Sequence, residues 1–265
     1  PRNQVKTMRK GTALITGASS GIGEALAREF ASHQYDLVIT ARRGDRLEAL
    51  AAELGTQVAV DIVISDLATD TGPAKLIAAV ELLGKNIDVL VNNAGVAHSG
   101  SFHDTAMAQI DQLIGLNISA LARLTQHYSQ PMIQRGSGRI LNVASVAAFQ
   151  PVPSMAVYAA SKAFVLSLTE SLSEELRGTG VTVSALCPGL TRTELVNDLM
   201  AQDVPPFMMS STEDVAREGY QALMAGDVIR IPGVANQAAV TWAKHQPRWL
   251  VRGVGGLFAR FKPSR

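Results

Sequence analysis

Short apolar runs alternate along the chain with longer segments in which apolar residues recur every three or four positions. The short runs predict buried strands and the periodic segments predict helices. The predicted strands are Thr12–Thr16, Asp36–Ala41, Gln57–Val63, Ile87–Asn92, Arg139–Ser145, Val181–Cys187 and Asp227–Ile231. The predicted helices are Gly23–Ser32, Asp45–Leu54, Pro73–Leu83, Thr105–Gln134, Met155–Arg177 and Thr212–Ala225.

Strands that are apolar along their whole length and are joined by helices favour a parallel sheet covered on both faces. We therefore expect a single doubly wound α/β domain of the Rossmann type, with a mainly parallel seven-stranded sheet, over residues 1–265. Within it, residues 190–211 contain Pro205, Pro206 and three methionines and are expected to form a substrate lid. Residues 232–265 are expected to form a basic C-terminal extension.

The composition excludes several classes of protein. Lysine plus arginine (24) nearly balances aspartate plus glutamate (23), so the charge does not favour a nucleic-acid partner. Cys187 is the single cysteine, which excludes an internal disulfide framework and a multi-cysteine metal site. No apolar run approaches the roughly 20 residues that a membrane span needs, and the basic start lacks the apolar segment of a secretory signal. We expect a cytoplasmic protein without a metal ion.

Ligands in doubly wound folds bind at the carboxyl ends of the strands. After the first strand, TGASSGIG places Gly17, Gly21 and Gly23 ahead of a helix. This arrangement brings backbone N–H groups and a helix N-terminus to a pyrophosphate. The alternative is a tight turn that needs glycine for steric reasons alone, and the strand–loop–helix context favours the nucleotide.

The second strand ends in a pair of arginines. Ala41 stands where a protein that prefers NAD usually places an acid on the adenosine ribose, and Arg42 and Arg43 follow it. Planar guanidinium groups suit the 2′-phosphate of NADP, so we predict NADP as the cofactor. The alternative is a solvated basic turn.

Polar residues also follow the fourth and fifth strands. Asn92–Gly95, with the sequence NNAG, lies where the sheet would meet the cofactor, although an Asn-Gly type of turn explains it equally well. Ser145 lies at the tip of the fifth strand, where a serine is usually only a capping hydroxyl.

Tyr158 and Lys162 are four residues apart on a predicted helix and therefore share one face. An ammonium beside a phenol favours the phenolate and lowers the tyrosine pKa, which makes the hydroxyl a usable proton donor and acceptor. Taken alone, the pair is better explained as a core tyrosine with a lysine whose ammonium reaches solvent.

Taken together, these segments resemble the short-chain dehydrogenase/reductase family in its shorter branch, from about Lys10 to Ile231. The matching segments occur in the family order, and Ser145 precedes Tyr158 by the family spacing of thirteen residues. They are TGASSGIG (Thr16–Gly23), NNAG (Asn92–Gly95), Ser145, YAASK (Tyr158–Lys162) and PGLTRT (Pro188–Thr193).

The resemblance implies roles for individual residues. Tyr158 would be the general acid and base, Ser145 would polarise the carbonyl, and Lys162 would bind ribose and lower the tyrosine pKa. Asn117 would hold a water in a proton relay, with helix-internal packing as its alternative. Asp66 would lie near the adenine, with a turn carboxylate as its alternative. The positions that match cofactor-binding residues are Gly17, Ser19, Ser20, Gly21, Ile22, Gly23, Arg42, Arg43, Asp66, Leu67, Asn93, Ala94, Gly95, Tyr158, Lys162, Pro188, Gly189, Thr191 and Thr193.

The sequence departs from the family pattern at Ser20, where some NADP-dependent members carry a basic residue. Recognition of the 2′-phosphate would therefore depend mainly on Arg42 and Arg43.

The implied function is NADP-dependent hydride transfer to a ketone or aldehyde, or from a secondary alcohol. The methionine-rich lid favours a hydrophobic small-molecule substrate. One alternative is a non-catalytic NADP-binding redox sensor, which would not need the full set of catalytic residues. The other is a sugar-nucleotide epimerase or dehydratase, which generally needs a larger C-terminal domain.

The apolar surface of the two longest predicted helices exceeds what one sheet face covers, and family members commonly pair there. We therefore expect a homo-oligomer, either a dimer or a tetramer.

The C-terminal tail carries cations and aromatic residues but no acid after Asp227. This mixture is compatible with weak contact with an anionic membrane surface. The favoured alternative is that the aromatic residues, Trp242 and Trp249 among them, pack on the subunit or its neighbour. A third option is docking of an acidic carrier or coenzyme A substrate. The cations are Arg230, Lys244, Arg248, Arg252, Arg260, Lys262 and Arg265.

Overall fold

The computed structural model describes residues 9–194, 209–247, 249, 250 and 253. Residues 195–208 of the expected lid lie outside the described residues, as do residues 248, 251, 252 and 254–265 of the C-terminal extension. The strands are β1 (Thr12–Thr16), β2 (Asp36–Ala41), β3 (Val60–Ile64), β4 (Val89–Asn92), β5 (Gly138–Val143), β6 (Val181–Leu186) and β7 (Ile229–Arg230).

The strands form one seven-stranded sheet in the order β3-β2-β1-β4-β5-β6-β7. Every neighbouring pair is parallel, with Leu14 opposite Val38 on one side and Leu90 on the other. The predicted doubly wound α/β fold is therefore confirmed. The strand order reverses beside β1, and a crevice opens there at the carboxyl ends of β1 and β4.

Helices cover both faces of the sheet because the strands are apolar on both sides. Phe30, Leu47 and Leu223 belong to the core on one face, and Leu76 and Leu124 belong to the core on the other. The helices are α1 (Gly21–Ser32), α2 (Gly44–Leu54), α3 (Gly72–Leu82), α4 (Met107–Ile114), α5 (Leu121–Gln134), α6 (Ala156–Glu175), α7 (Thr212–Ala225) and α8 (Val234–His245).

Two element predictions need correction. The segment 105–134, predicted as one helix, contains a π-helical turn at Gly115–Ala120 between α4 and α5. Such turns interrupt the regular hydrogen bonding of an α-helix and are frequent at functional sites. No helix was predicted after Ala225, but the C-terminal extension contains α8 (Val234–His245).

In the described part of the tail, the exposure of the tryptophans and the contacts of the cations agree only partly with expectation. Trp242 and Trp249 are 51% and 66% exposed, so neither packs into the interior of this subunit. The Nε of Arg230 donates to Glu218 at 3.0 Å, and the ammonium of Lys244 lies 4.6 Å from the ring centre of Phe149. Among the described residues, no helix combines the length and the apolar character needed to cross a bilayer.

Candidate active site

A cleft of about 470 Å³ opens at the carboxyl ends of the strands. All of the predicted site residues except Gly23 and Asn117 line it. The parallel sheet explains this convergence, because it brings the ends of distant chain segments to one edge.

The glycines after β1 have distinct steric roles. Gly17 and Gly21 have φ values of +69° and +59°, in the left-handed region that favours glycine. A Cβ on Gly23 would lie 2.3 Å from the carbonyl oxygen of Gly17 and from the Nδ2 of Asn93. Glycine is therefore required both for the turn and for close packing of α1. Gly21 and Ile22, which begin α1, line the cleft, so a helix N-terminus is available to an anion.

The NNAG segment joins the ends of β1 and β4. The side chain of Asn93 donates from Nδ2 to the carbonyl oxygens of Thr16 at 3.0 Å and Gly17 at 3.2 Å. The hydroxyl of Thr16 in turn accepts from the backbone N–H groups of Asn93 and Ala94, both at 3.0 Å. These reciprocal bonds fix the floor of the cleft, which an isolated turn would not do.

A buried chain of hydrogen bonds lies behind this floor. Asn92 donates from Nδ2 to Thr125 and to Asn142, both at 2.9 Å, and Asn142 donates to Thr169 at 3.0 Å. These side chains come from β4, α5, β5 and α6 and are at most 3% exposed. These hydrogen bonds join the four elements behind the cleft. The sequence signalled only Asn92, because the other three belong to no motif.

Asn117 lies in the π-helical turn and is 1% exposed. Its amide accepts from the Val96 N–H and donates to the Val96 carbonyl, both at 2.9 Å. It also donates to the hydroxyl of Ser161 at 3.1 Å, and that hydroxyl donates to the Tyr158 carbonyl at 2.7 Å. Asn117 therefore positions the turn of α6 that carries Tyr158, in agreement with the packing alternative.

The Asn117 oxygen also keeps acceptor capacity beside the cleft. A Cβ on Gly95 would lie 3.3 Å from that oxygen and 3.5 Å from the Nζ of Lys162. Glycine at this position therefore leaves room next to both polar atoms. The role of Asn117 in a water relay stays a prediction.

Ser145 follows β5 and is 9% exposed. Its hydroxyl accepts from the Ala147 N–H at 3.1 Å, which caps the short 3₁₀ helix Val146–Phe149. The same side chain lines the cleft together with Tyr158 and acts to lower the pKa of that tyrosine. Ser145 is therefore both a cap and a hydroxyl presented to the cleft.

The pKa of Tyr158 is raised by burial, and its hydrogen bond with Ser145 acts in the lowering direction without offsetting that effect. The lowering of this pKa, which the resemblance implies for Lys162 together with the oxidised nicotinamide, is therefore not produced by the protein groups alone. Desolvation of a phenolate dominates, and the ammonium of Lys162 lies over the ring, 5.8 Å from its centre.

Lys162 is 5% exposed, which excludes an ammonium that reaches solvent. Its Nζ donates to the Val143 carbonyl at 2.8 Å. Burial lowers its pKa to about 8, with a smaller opposing effect from Cys187. Burial also raises the pKa of the Cys187 thiol to about 12, so Cys187 remains a protonated core residue.

The other end of the cleft is more exposed and more charged. Arg42 is exposed and makes no hydrogen bond or ion pair with any residue that the structure describes. Arg43 donates from Nη2 to the Ser20 hydroxyl at 2.7 Å and from Nε to the Ser19 hydroxyl at 3.2 Å. Its Nη1 contacts the Glu194 carboxylate at 2.8 Å.

The remaining predicted residues line the cleft but also bond within their own segments. The Asp66 carboxylate accepts from the Ala68 N–H at 3.1 Å, which agrees with the turn alternative. The hydroxyl of Thr191 donates to the Gly189 carbonyl at 3.1 Å, and that of Thr193 donates to the Thr191 carbonyl at 3.4 Å.

Two residues of the charged end were not predicted, although both stand beside quoted motifs. Glu194 directly follows PGLTRT, and Arg46 is three residues after Arg43. Nothing in the spacing indicates that they meet, because they are 148 residues apart.

The fold defines a Rossmann-type α/β protein. The family model for short chain dehydrogenases matches residues 11–204. The chain belongs to the short-chain dehydrogenase/reductase family, whose members are oxidoreductases that use nicotinamide cofactors.

Similar proteins differ in their named activities and in the cofactors bound in their structures. Sulfoacetaldehyde reductase 2 from Chromohalobacter salexigens is 36% identical over 215 residues, which cover 77% of this chain and 84% of that protein. A short-chain dehydrogenase from Sphingobium yanoikuyae in complex with NADPH has a TM-score of 0.80 and 35% identity, covering 96% of this chain and 98% of its own. A family member from Burkholderia phymatum in complex with NAD has a TM-score of 0.77 and 28% identity, covering 88% and 92%.

Proposed function

We propose that the protein is an NADP-dependent oxidoreductase that transfers hydride between nicotinamide and the carbonyl carbon of a hydrophobic ketone or aldehyde, or a secondary alcohol in reverse. The observation that carries this proposal is that Ser145 and Tyr158 line the same cleft, with the buried ammonium of Lys162 over the tyrosine ring. A redox sensor would need none of these three groups in this arrangement.

The residues of the cleft suit a nicotinamide cofactor. The glycines after β1 leave the backbone open at the N-terminus of α1, which would hold the pyrophosphate. The cofactor, when bound, supplies the hydride. Ser145 would donate a hydrogen bond to the substrate carbonyl oxygen, and the Tyr158 hydroxyl would give that oxygen a proton.

Lys162 would have two tasks. An ammonium has three N–H donors, and one is used by the Val143 carbonyl, so two remain for ribose hydroxyls. Its positive charge also favours the phenolate of Tyr158. Because burial alone raises the tyrosine pKa, this activation depends on additional positive charge, which the oxidised nicotinamide ring carries.

The preference for NADP over NAD is supported by the chain's own residues. Arg42 has donors without partners in the described part of the chain, and Arg43 lies against the serines of the glycine loop. Charge-assisted bonds from guanidinium groups to a phosphate are strong and geometrically specific. The hydrophobic substrate class is supported by the composition of the lid, and a panel of aliphatic, aromatic, steroid and β-ketoacyl carbonyl compounds would test it.

Tyr158→Phe tests the function. We expect it to bind NADPH within about two-fold of the parent while turnover falls by about 10³, because proton transfer alone is removed. Turnover would be measured by NADPH loss and binding by nicotinamide fluorescence. Activity within a few-fold of the parent would refute the assignment. A parent that binds NADPH yet reduces no carbonyl compound would favour the sensor.

We also propose that the protein is a homo-oligomer. Ile114, Ile133 and Phe164 on α4, α5 and α6 are 42%, 40% and 38% exposed. Large apolar side chains exposed on neighbouring helices are typical of a surface that pairs with a second copy. Light scattering at micromolar concentration should give a multiple of the subunit mass, and a monomer would contradict the proposal.

A further inference from the structure

The carboxylate of Glu194 bridges two guanidinium groups at the charged end of the cleft. Its Oε2 accepts from Arg43 at 2.8 Å and its Oε1 accepts from Arg46 at 2.7 Å. Glu194, Arg43, Ser19 and Ser20 all line the cleft. Arg46, on α2, is not among the lining residues.

Arg43 therefore divides its donors between two kinds of acceptor. Nε and Nη2 contact the hydroxyls of Ser19 and Ser20, and Nη1 contacts Glu194. An anion that binds to Arg43 must share its guanidinium group with that carboxylate. It must also approach that carboxylate closely, which like charges make unfavourable.

We propose, resting on the NADP-dependent function above, that Glu194 is a specificity-determining residue which competes with the cofactor's 2′-phosphate for Arg43. It lowers the affinity for NADPH and leaves the affinity for NADH nearly unchanged, because the adenosine ribose of NADH carries only neutral hydroxyls there. The preference for NADPH is then a balance between the arginines and this carboxylate.

The electrostatics of the cluster support the competition. Hydrogen bonds from Arg43 and then Arg46 lower the pKa of Glu194, so its carboxylate is charged at neutral pH. Arg46 lies outside the cleft lining, so it can remain hydrogen-bonded to the Glu194 carboxylate when the phosphate binds to Arg43. The side chains of Arg43, Arg46 and Glu194 are 41%, 46% and 46% exposed, so the effect is moderate and is reduced by salt.

Glu194→Gln tests the inference, with dissociation constants for NADPH and NADH measured by calorimetry at low and high salt. We expect NADPH to bind about five-fold more tightly at low salt and NADH to change by less than two-fold. The gain should shrink at high salt and should be largely lost when Arg43 is also replaced by alanine. Thermal melting checks that the variants are folded.

Glu48→Gln is the matched control. Glu48 is an exposed residue of α2 and makes no hydrogen bond or ion pair with the residues that the structure describes. The substitution removes the same charge from the same side of the protein, so we expect no change in the dissociation constant of NADPH or of NADH. An equal gain in this control would mean that net charge, and not competition at Arg43, controls the affinity.

Three other results would overturn the inference. The first is an NADPH dissociation constant that does not change in Glu194→Gln. The second is a gain in NADPH affinity that persists in full when Arg43 is also replaced. The third is weaker binding of NADH to Glu194→Gln, which would make Glu194 an acceptor for the ribose hydroxyl. The proposed function fails separately, if the parent protein binds NADPH no more tightly than NADH or if Tyr158→Phe remains active.

Discussion

The two ends of the cleft are built in different ways. At the Tyr158 end, Asn117 and Lys162 are 1% and 5% exposed and are held by hydrogen bonds to buried backbone groups. At the Arg43 end, the charged side chains are more than 40% exposed and contact one another at the surface. Chemistry at a carbonyl needs fixed dipoles in a region that excludes water, whereas discrimination between cofactors needs only a balance of charges. Substitutions at the first end should therefore change turnover, and those at the second should change affinity.

After Tyr158→Phe, the largest effect should come from Ser145→Ala. We expect kcat to fall about 100-fold, because a hydrogen bond to the developing oxyanion is lost, while the NADPH dissociation constant changes by less than about two-fold. Steady-state kinetics and calorimetry would separate the two quantities. Ser145→Thr, which keeps the hydroxyl, should retain much of the activity. Equal losses in both variants would mean that Ser145 serves only as the cap of the 3₁₀ helix.

The next effect concerns stability and follows from the pKa of Lys162, which burial lowers to about 8. Between this value and the ordinary value of 10.5, the unfolded chain holds a proton that the folded protein has released. Folding stability should therefore rise with pH across that window, and the cost of the buried charge is complete below it.

Lys162→Met should remove this trend. We expect the unfolding free energy of the parent minus that of the variant to rise by about 2 kcal/mol between about pH 8 and pH 10. Urea unfolding at each pH measures both values. Lys75→Met, at an exposed position on α3, should show no such rise. If the difference in unfolding free energy between the parent and Lys162→Met does not change with pH, the Lys162 ammonium is better solvated than its burial indicates.

A smaller effect is expected at the charged end. Replacing both Arg42 and Arg43 by alanine should weaken NADPH binding about ten-fold and leave NADH binding and kcat almost unchanged. Arg42→Ala should leave the melting temperature unchanged, because Arg42 is exposed and makes no hydrogen bond or ion pair with the residues that the structure describes. Arg177→Ala, an exposed substitution after α6, is the control. An unchanged preference in the double variant would exclude these arginines as the determinant.

The smallest effect concerns ionic strength. Raising salt from about 0.05 M to 0.5 M should weaken NADPH binding by about three-fold more than NADH binding, because exposed charges are screened. The single-turnover rate at saturating NADPH should not change, since the groups around Tyr158 are buried. A rate that falls with salt in parallel with affinity would contradict the division between the two ends.

Much of the fold could be predicted from the pattern of apolar residues, because a strand buried on both faces and a helix buried on one differ in period. The boundaries were less accurate. β7 contains only Ile229–Arg230 of the predicted 227–231, and β3 begins at Val60, after Gln57 and Val58, whose N–H groups bond to the Leu54 carbonyl. The π-helical turn at Gly115–Ala120 could not be predicted, since no residue type specifies it.

For the candidate site, sequence patterns identified the segments but not their electrostatics. The spacing of Tyr158 and Lys162 correctly placed them on one helix, α6, but the direction of the tyrosine pKa depends on burial, which the spacing does not contain. The network of Asn92, Asn142 and Thr169 likewise depends on how the sheet and helices pack.

The sequence by itself determined the parallel α/β architecture, the glycine loop and the order of the motifs, because each depends on local periodicity or on backbone conformations available to few residues. The tertiary structure alone decided which charges meet and which are desolvated. The contact of Arg43 with Glu194 joins residues 151 positions apart. Electrostatic energy depends on distance and dielectric in three dimensions, and neither quantity is encoded in the separation of two residues along the chain.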